Sequence, residues 1–172
     1  MEKNQFNFID LFSGCGGFSK GMELAGHKCL LGVDFNKDAT DTFAINHKNA
    51  QVINGDISQV SISQIKLLTK SRPIHMIIGG PPCQGFSTVG RGNVDDERNQ
   101  LFREFVRIVA GIKPKIIVLE NVTGLLAEKN KHILQAIFSE FQKIGYNLEA
   151  RVLSSEEYGV PEKRRRTFIM GV

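Results

Sequence analysis

Short apolar runs alternate along this chain with segments whose apolar residues recur at helical spacing, and this alternation limits the fold more than any other feature. The apolar runs predict strands at residues 6–12, 28–34, 50–55, 73–79, 114–122, 147–155 and 165–172. The helical spacing predicts helices at 17–26, 37–47, 63–70, 100–112 and 131–145. Such an order is typical of an α/β fold with a doubly wound, mostly parallel sheet and helices on both faces.

The helix predicted at 100–112 has one clearly apolar face, formed by Leu101, Phe105, Ile108 and Val109. We expect this face to pack on the sheet.

The composition of the 172-residue chain fits one globular domain, with 41% hydrophobic and 23% charged residues. No apolar run could span a bilayer, and residues 1–10 lack the pattern of a signal peptide, so we predict a cytoplasmic protein without membrane association. The three cysteines and four histidines lack metal-ligand spacing, so we expect neither a metal site nor a disulfide framework. The net charge of +4 permits a nucleic-acid partner without requiring one.

In a doubly wound sheet, ligands bind beyond the carboxyl ends of the strands. Gly14, Gly16 and Gly17 follow the first strand, where they permit a tight turn into a helix N-terminus that suits a carboxylate or phosphate. After the next two strands, Asp34 can bond ribose hydroxyls and Asp56 an adenine amino group. Each acid alone is more often a cap or turn residue, but together these features favour an adenosine-containing ligand. A dinucleotide stays open, although GxGxxG spacing and a Walker lysine are missing.

The fourth strand runs into Gly-Gly-Pro-Pro-Cys-Gln, residues 79–84, and neither proline can donate an amide hydrogen to a strand ladder. The prolines therefore end the strand and place Cys83 in a loop, where an activated thiol could act as a nucleophile. A buried packing role is the alternative for Cys83. It is the interpretation that we adopt for Cys15 and Cys29, because a free cysteine usually behaves as a small apolar residue.

The fifth strand ends in Glu-Asn-Val, residues 120–122. Pro-Pro-Cys-Gln followed by Glu-Asn-Val closely resembles the C5-cytosine DNA methyltransferase family. The stretches DLFSGCGGFS, GVDFN, NGDIS and EYGVPEKRRRTFIMGV occur in the family's order, and the resemblance extends from about Phe8 to Val172.

The resemblance implies methyl transfer from S-adenosyl-L-methionine to C5 of cytosine in duplex DNA, within a bacterial restriction–modification system, leaving S-adenosyl-L-homocysteine. C5 becomes nucleophilic once a thiolate adds to C6, and Cys83 would supply that thiolate. Glu120 would share a proton with N3 of the base. Arg164 and Arg166 would be the family's paired arginines, one of them at the O2 edge. From the residues alone, Glu120 could be a helix cap or a salt-bridged side chain, and KRRR a solvated basic run.

The resemblance also assigns binding residues. It assigns cofactor binding to Asp10, Phe12, Ser13, Gly14, Gly16, Gly17, Asp34, Phe35, Asp56, Ile57, Pro81 and Leu101. It assigns the DNA substrate to Gln84, Ser87, Arg98 and Asn121, with Arg91 as a further candidate, and Asn121 would also position the neighbouring loops. Residues 84–100 resemble the family's catalytic loop, which closes on DNA once the target base has left the duplex.

The chain departs from the family pattern in extent and at two positions. Complete members continue into a target-recognition region and a segment that completes the cofactor pocket. We therefore expect residues 1–172 to be one catalytic and cofactor-binding domain, with double-stranded DNA and a complementary polypeptide carrying the target-recognition region as partners. Asp34 stands where glutamate is common, which shortens the reach to ribose, and Glu162 stands where glutamine is common, which adds a negative charge near the base.

Two other functions stay open at the level of sequence. A tRNA cytosine-C5 methyltransferase would use the same catalytic motifs, and a non-catalytic AdoMet-binding subunit could retain them. Measuring labelled-methyl transfer to DNA and to tRNA distinguishes a DNA methyltransferase from a tRNA methyltransferase. Covalent trapping with 5-fluorocytosine DNA distinguishes an enzyme from a non-catalytic binding subunit.

Overall fold

The strands of the structure form at the apolar runs of the sequence. The structure is a computed structural model that describes residues 5–82 and 100–172. In this part of the chain the strands are β1 (Asn7–Leu11), β2 (Lys28–Asp34), β3 (Gln51–Asn54), β4 (Met76–Gly79), β5 (Ile116–Val122), β6 (Leu148–Ser154) and β7 (Arg165–Gly171). Each predicted strand is present; β2 has the predicted bounds and the other six are somewhat shorter than predicted. β4 begins only at Met76, where its pairing with Phe8 of β1 starts.

The seven strands form one sheet in the order β3-β2-β1-β4-β5-β7-β6. The first five strands of the chain pair in parallel, whereas β7 is antiparallel to both of its neighbours. The short connection from β6 to β7 turns at Ser155–Tyr158, and it lacks the length that a crossover to a parallel strand needs. The prediction of a mostly parallel sheet is confirmed, with β7 as the reversed strand.

The helices lie on both faces of the sheet, as predicted. Among the described residues they are α1 (Gly17–Leu24), α2 (Lys37–Asn46), α3 (Ile62–Leu68), α4 (Gln100–Ile112) and α5 (Lys131–Lys143). Side chains alternate across β4: Met76 and Ile78 pack with Phe43 of α2, and Ile77 packs in the layer that contains Phe105 of α4. Both faces of the central strands are therefore apolar, which accounts for their unbroken apolar runs.

The apolar face of α4 differs from the prediction at one position. Phe105, Ile108 and Val109 are buried as expected, but Phe102 joins them, whereas Leu101 is 37% exposed. Leu101 lies in the first turn of α4, where it lines a cavity at the carboxyl edge of the sheet.

The β1–β4 pair leaves no room for a side chain at Gly79, the last residue of β4. A Cβ added at Gly79 would lie 2.1 Å from the backbone oxygen of Leu11 and 3.0 Å from the ring of Phe105. A backbone atom cannot move aside as a flexible side chain can, so this position requires glycine for space.

We predict that Gly79→Ala lowers the free energy of unfolding by about 3 kcal/mol, because the methyl group forces β1 and β4 apart. Urea denaturation followed by circular dichroism measures the change. Gly124→Ala is the matched control, since a Cβ there meets no atom within 4 Å, and we expect a change within about 0.5 kcal/mol. Equal stability of the two variants would contradict the close approach.

Candidate active site

The loop after β1, residues 12–16, is held by the carboxylate of Asp34. The Gly14 amide donates to Asp34 Oδ2 at 2.8 Å, and the Asn36 amide donates to Oδ1 at 2.9 Å. The loop contains positive φ angles, 62° at Phe12 and 53° at Gly14. A Cβ added at Gly14 would meet no atom within 4 Å, so the backbone here faces open space. Asp34, predicted to reach a ribose, thus also shapes the loop that was predicted to receive the ligand.

Asp10 lies beneath this loop with 1% of its surface exposed. Its Oδ2 accepts a hydrogen bond from Ser19 Oγ at 2.6 Å, and the Ser19 amide also bonds to this carboxyl group. Ser19 lies in the first turn of α1, whose N-cap Gly16 has no side chain to offer, so Asp10 caps the helix from β1. Burial raises the pKa of Asp10 to about 7. The Asp10 carboxyl group is enclosed, and it acts on α1 through its hydrogen bonds with Ser19.

Ser13 carries a buried hydroxyl without a hydrogen-bond partner among residues 5–82 and 100–172. Its backbone amide is satisfied, since it donates to the Val33 oxygen at 3.0 Å. An unsatisfied buried hydroxyl costs about 1–3 kcal/mol, which a polar ligand group at this loop would recover. Gly17, at the start of α1, is as open as Gly14: a Cβ there would also meet no atom within 4 Å.

The two described cysteines differ in burial. Cys29 is buried in β2, as expected, and burial raises its pKa to about 12. Cys15 is exposed, so its interpretation as a buried packing residue is wrong. It lies between Gly14 and Gly16 in the loop after β1.

A cavity of about 310 Å³ opens at the carboxyl ends of β2 and β3 and is lined by Phe12, Val33, Asp34, Phe35, Gly55, Asp56, Ile57 and Leu101. Only Val33 and Gly55 of this lining were not predicted as cofactor residues. Ile57 is buried in the wall, whereas the ring of Phe35 is 78% exposed. Asp56 accepts a hydrogen bond from the Ser58 amide at 2.9 Å, and this bond holds the pKa of Asp56 below its usual range. The cavity combines apolar walls with two carboxylates, a combination that suits a nucleoside.

Arg107 of α4 holds the turn that carries Asp56 and Ile57. Its Nη2 donates to the carbonyl oxygens of Ile57 and Val60 at 3.0 and 2.9 Å, and its Nε donates to Glu104 at 2.6 Å. A guanidinium thus bonds the first carbonyl of the 3₁₀ turn Ile57–Gln59 and the carbonyl of Val60 that follows it. The sequence predicted no role for Arg107, because its partners lie far away in the chain.

Glu120, Arg164 and Arg166 meet at the carboxyl edge. Glu120 Oε1 lies 3.0 Å from Arg166 Nε and 3.4 Å from Arg164 Nη2. Arg166 is opposite Val122 in the β5–β7 ladder, and Glu120 lies two residues along on the same face, so the two side chains are diagonal neighbours. The salt-bridged alternative for Glu120 therefore describes its geometry, and its partners are the two arginines that the resemblance assigned to the same site.

The backbone of Arg164 is fixed to the turn after β6. The Arg164 amide donates to Ser155 Oγ at 2.9 Å, and the Ser155 amide donates to the Arg164 oxygen at 2.9 Å. Ser155 Oγ in turn donates to the carbonyl of Glu162. These bonds hold the start of β7 in place although the surrounding hairpin is exposed.

Asn121 connects the end of β5 to the end of β4. Its Nδ2 donates to the Pro81 oxygen at 3.0 Å. A second cavity, of about 350 Å³, lies beside this bond and is lined by Gly80, Pro81, Pro82, Glu120, Asn121, Val122, Gly124, Leu125, Asn130 and Ile133. Pro81, predicted to bind the cofactor, lines this second cavity, and the chain leads from Pro82 directly to residue 83.

Several predicted residues lie outside the described ranges: Cys83, Gln84, Ser87, Arg91 and Arg98. Within residues 5–82 and 100–172, no group of three or more His, Cys, Asp or Glu side chains is placed to hold a metal ion. Within the same ranges, no helix is long and apolar enough to cross a membrane.

Comparison with known proteins gives a family match over almost the whole chain. The family model described as C-5 cytosine-specific DNA methylase matches residues 6–172. The type II methyltransferase M.DdeI of Desulfomicrobium norvegicum is 41% identical over 169 residues, which are 96% of this chain and 40% of that protein. The type II methyltransferase M1.HphI of Haemophilus parahaemolyticus is 40% identical over 167 residues, which are 95% of this chain and 45% of that protein.

Solved structures share the fold. The crystal structure of a protein described as a DNA modification methyltransferase encoded within an E. coli prophage superposes with a TM-score of 0.83 at 37% identity. The match covers 98% of this chain and 47% of that one. The fold is thus the α/β fold of AdoMet-dependent methyltransferases, and the chain spans less than half the length of the relatives named here.

We predict that the buried Asp10 makes stability fall as the pH rises from about 4 to about 7. The unfolded carboxyl ionises near its ordinary pKa, while the folded one keeps its proton up to a pKa of about 7, so the unfolded state gains stability across this window. The expected loss is up to about 4 kcal/mol, and Asp10→Asn abolishes it. Urea denaturation of both proteins at several pH values measures the difference between them. Parallel profiles would contradict the buried neutral carboxyl.

Proposed function

Because the chain belongs to the C-5 cytosine-specific DNA methylase family, we propose that it is the catalytic portion of an enzyme that methylates C5 of cytosine in duplex DNA, with S-adenosyl-L-methionine as methyl donor. The observation that carries this proposal is the cluster of Glu120, Arg164 and Arg166 beside Pro81 and Pro82, which lead to Cys83. The site thus offers an acid and two guanidiniums at one edge of the sheet, beside the two prolines that directly precede a cysteine in the chain. An acid, a cation and a thiol are the groups that covalent activation of a pyrimidine requires.

The proposed cofactor site is the 310 Å³ cavity together with the loop at residues 12–16. S-adenosyl-L-methionine supplies an electrophilic methyl group there. Asp34 and Asp56 offer carboxylate oxygens to hydroxyl and amino groups of an adenosine, and Ile57 offers an apolar wall to its ring. The amides at the N-terminus of α1 and the unpartnered Ser13 hydroxyl suit the carboxylate of the methionine part.

The proposed reaction begins when the Cys83 thiolate forms a bond to C6 of cytosine and Glu120 delivers a proton to N3. The electron pair thereby released toward C5 makes that carbon nucleophilic. One arginine of the pair holds the O2 edge of the base, and the other orients Glu120. In methyl transfer the C5–CH₃ bond forms as the S–CH₃ bond breaks, and its electron pair stays on the sulfur that leaves as S-adenosyl-L-homocysteine. C5 then loses its proton to a base, the Sγ–C6 bond breaks, the thiolate is restored and N3 returns its proton to Glu120. This sequence leaves every group of the chain as it began.

Cytosine must leave the duplex for these contacts to form, so the proposal includes base flipping. Gln84, Ser87 and Arg98 are the proposed contacts to DNA, and Asn121 is proposed to position the backbone before Cys83 through Pro81. Relatives named as type II methyltransferases support a place in a restriction–modification system of the bacterial cytoplasm. We also propose a complementary polypeptide as a partner in the recognition of a specific DNA sequence.

We predict that Cys83→Ser reduces methyl transfer at least about 10³-fold, because a hydroxyl is a far weaker nucleophile than a thiolate. Radiolabelled methyl transfer to duplex DNA and to tRNA measures activity and separates the two substrates, with and without a candidate complementary polypeptide. The control is the affinity of Cys83→Ser for S-adenosyl-L-homocysteine, which should match wild type because the thiol is not proposed to bind the cofactor.

Trapping with 5-fluorocytosine DNA tests the covalent step directly. The wild-type protein should form a stable adduct, because fluorine at C5 blocks the proton loss that precedes thiolate release, and Cys83→Ser should form none. Methylation by Cys83→Ser at the wild-type rate would remove the proposed nucleophile. A wild-type protein that binds cofactor but forms no adduct would favour a binding subunit.

We predict that Glu120→Gln lowers the methylation rate about 10²-fold or more, since an amide can bond N3 but cannot deliver a proton to it. Single-turnover methylation measures this loss, and cofactor affinity should stay within about twofold of wild type. Glu128→Gln is the control, because the Glu128 side chain is 88% exposed and pairs only loosely with Lys131, at 3.5 Å. Wild-type turnover in Glu120→Gln would exclude the carboxylate from the mechanism.

A further inference from the structure

His47 follows α2 and is buried, with 2% of its surface exposed. No step of the proposed reaction uses it. A buried imidazole needs hydrogen-bond partners, and its partners connect it to the glycine loop at residues 12–16.

Both ring nitrogens of His47 face acceptors. Nε2 lies 3.1 Å from the carbonyl oxygen of Gly16, and Nδ1 lies 3.0 Å from Glu23 Oε2. A carbonyl oxygen only accepts, so Nε2 carries a hydrogen and donates it to Gly16. At Nδ1 the Glu23 side chain is the second hydrogen-bond partner, so each ring nitrogen has one. His47 thereby joins the end of α2 to Glu23 within α1 and to Gly16, which directly precedes α1.

Gly16 is shaped to receive this ring. Its φ is 89°, and a Cβ would lie 2.2 Å from His47 Nε2 and 2.9 Å from the ring of Phe43. Gly14 and Gly17 have open space where Gly16 has the imidazole. The loop therefore has a closed side against His47 and an open side toward the proposed cofactor.

Phe43 lies between the imidazole of His47 and β2, and it keeps the imidazole in position. The two rings lie 4.3 Å apart between centroids, and Phe43 packs so tightly under β2 that a Cβ at Gly32 would lie 2.5 Å from it. The imidazole thus rests on the sheet through Phe43, and it cannot retreat from Gly16 without disturbing the core.

We propose that His47 is a positioning residue for cofactor binding, which acts by holding the Gly16 carbonyl and thereby the loop and the N-terminus of α1. Asp34 holds the same loop at a second point, because its carboxylate accepts a hydrogen bond from the Gly14 amide. The inference rests on the proposed cofactor site, and it adds to that site a residue that does not touch the ligand.

The test compares the affinity for S-adenosyl-L-homocysteine, measured by isothermal titration calorimetry, in four variants and the wild type. We expect His47→Ala to raise the Kd about tenfold, and His47→Gln about threefold, because the glutamine amide can still donate to Gly16. Glu23→Gln, which keeps a hydrogen-bonding group beside Nδ1, should raise the Kd about threefold. His132→Gln on α5 is the matched control, since His132 is exposed and distant in the fold, and it leaves the Kd unchanged.

Rescue by glutamine is the readout that a purely structural role would not give. The Gly14 and Gly17 amide resonances should shift in His47→Ala and return toward wild type in His47→Gln. Equal losses of affinity in the two variants, or affinities within twofold of wild type in folded proteins, would overturn the inference. If His47→Ala does not fold, His47→Gln and Glu23→Gln decide by the same twofold limit. A wild-type protein that binds no cofactor would overturn the proposed function and this inference with it.

Discussion

The direction of β7 determines whether the candidate active site can exist. Every parallel strand delivers its carboxyl end to one edge of the sheet, but a strand that arrives from a hairpin delivers its amino end there. Because β7 is antiparallel to β5, Arg164 and Arg166 lie at the same edge as Glu120. With a parallel β7, the two guanidiniums would lie at the opposite edge of the sheet, and Glu120 would have neither partner.

The glycine loop depends on side chains from other elements in a similar way. The loop offers little of its own to fix its conformation, since glycine has no side chain to pack. Three polar groups therefore hold it or the helix that follows: Asp34 from β2, Asp10 from β1 and His47 from the end of α2. Two of the three are buried, which makes their hydrogen bonds costly to break and keeps the open side of the loop ready for a ligand.

The elements and the position of the cavity at the carboxyl edge were largely readable from the sequence, because they rest on local patterns. Strand and helix periodicity located each element, and acidic residues at strand ends located the cavity that contains Asp34 and Asp56. Hydrogen-bond partners that are distant in the chain could not be predicted from the sequence. Neither Arg107 with the carbonyls of Ile57 and Val60 nor His47 with Gly16 leaves a signal in spacing.

The exposed Cys15 and the outward Leu101 show a related limit. Residue type and helical phase predict which side chains prefer burial, but they do not locate the open edge of the sheet. At that edge Leu101 lines a cavity instead of packing in the core, and Cys15 is exposed in the loop after β1.

The connection from β4 toward Cys83 is bonded to β5 through a backbone carbonyl, for the same physical reason that ends the strand. Pro81 and Pro82 have no amide hydrogens, so their backbones enter hydrogen bonds only as acceptors. Asn121 takes the Pro81 oxygen, and Asn121 directly follows Glu120 on β5. The residue that sets the path of the backbone toward the proposed nucleophile is therefore adjacent to the proposed acid. A displacement of the end of β5 would move Glu120 and Asn121 together, and with Asn121 the Pro81 oxygen that it holds.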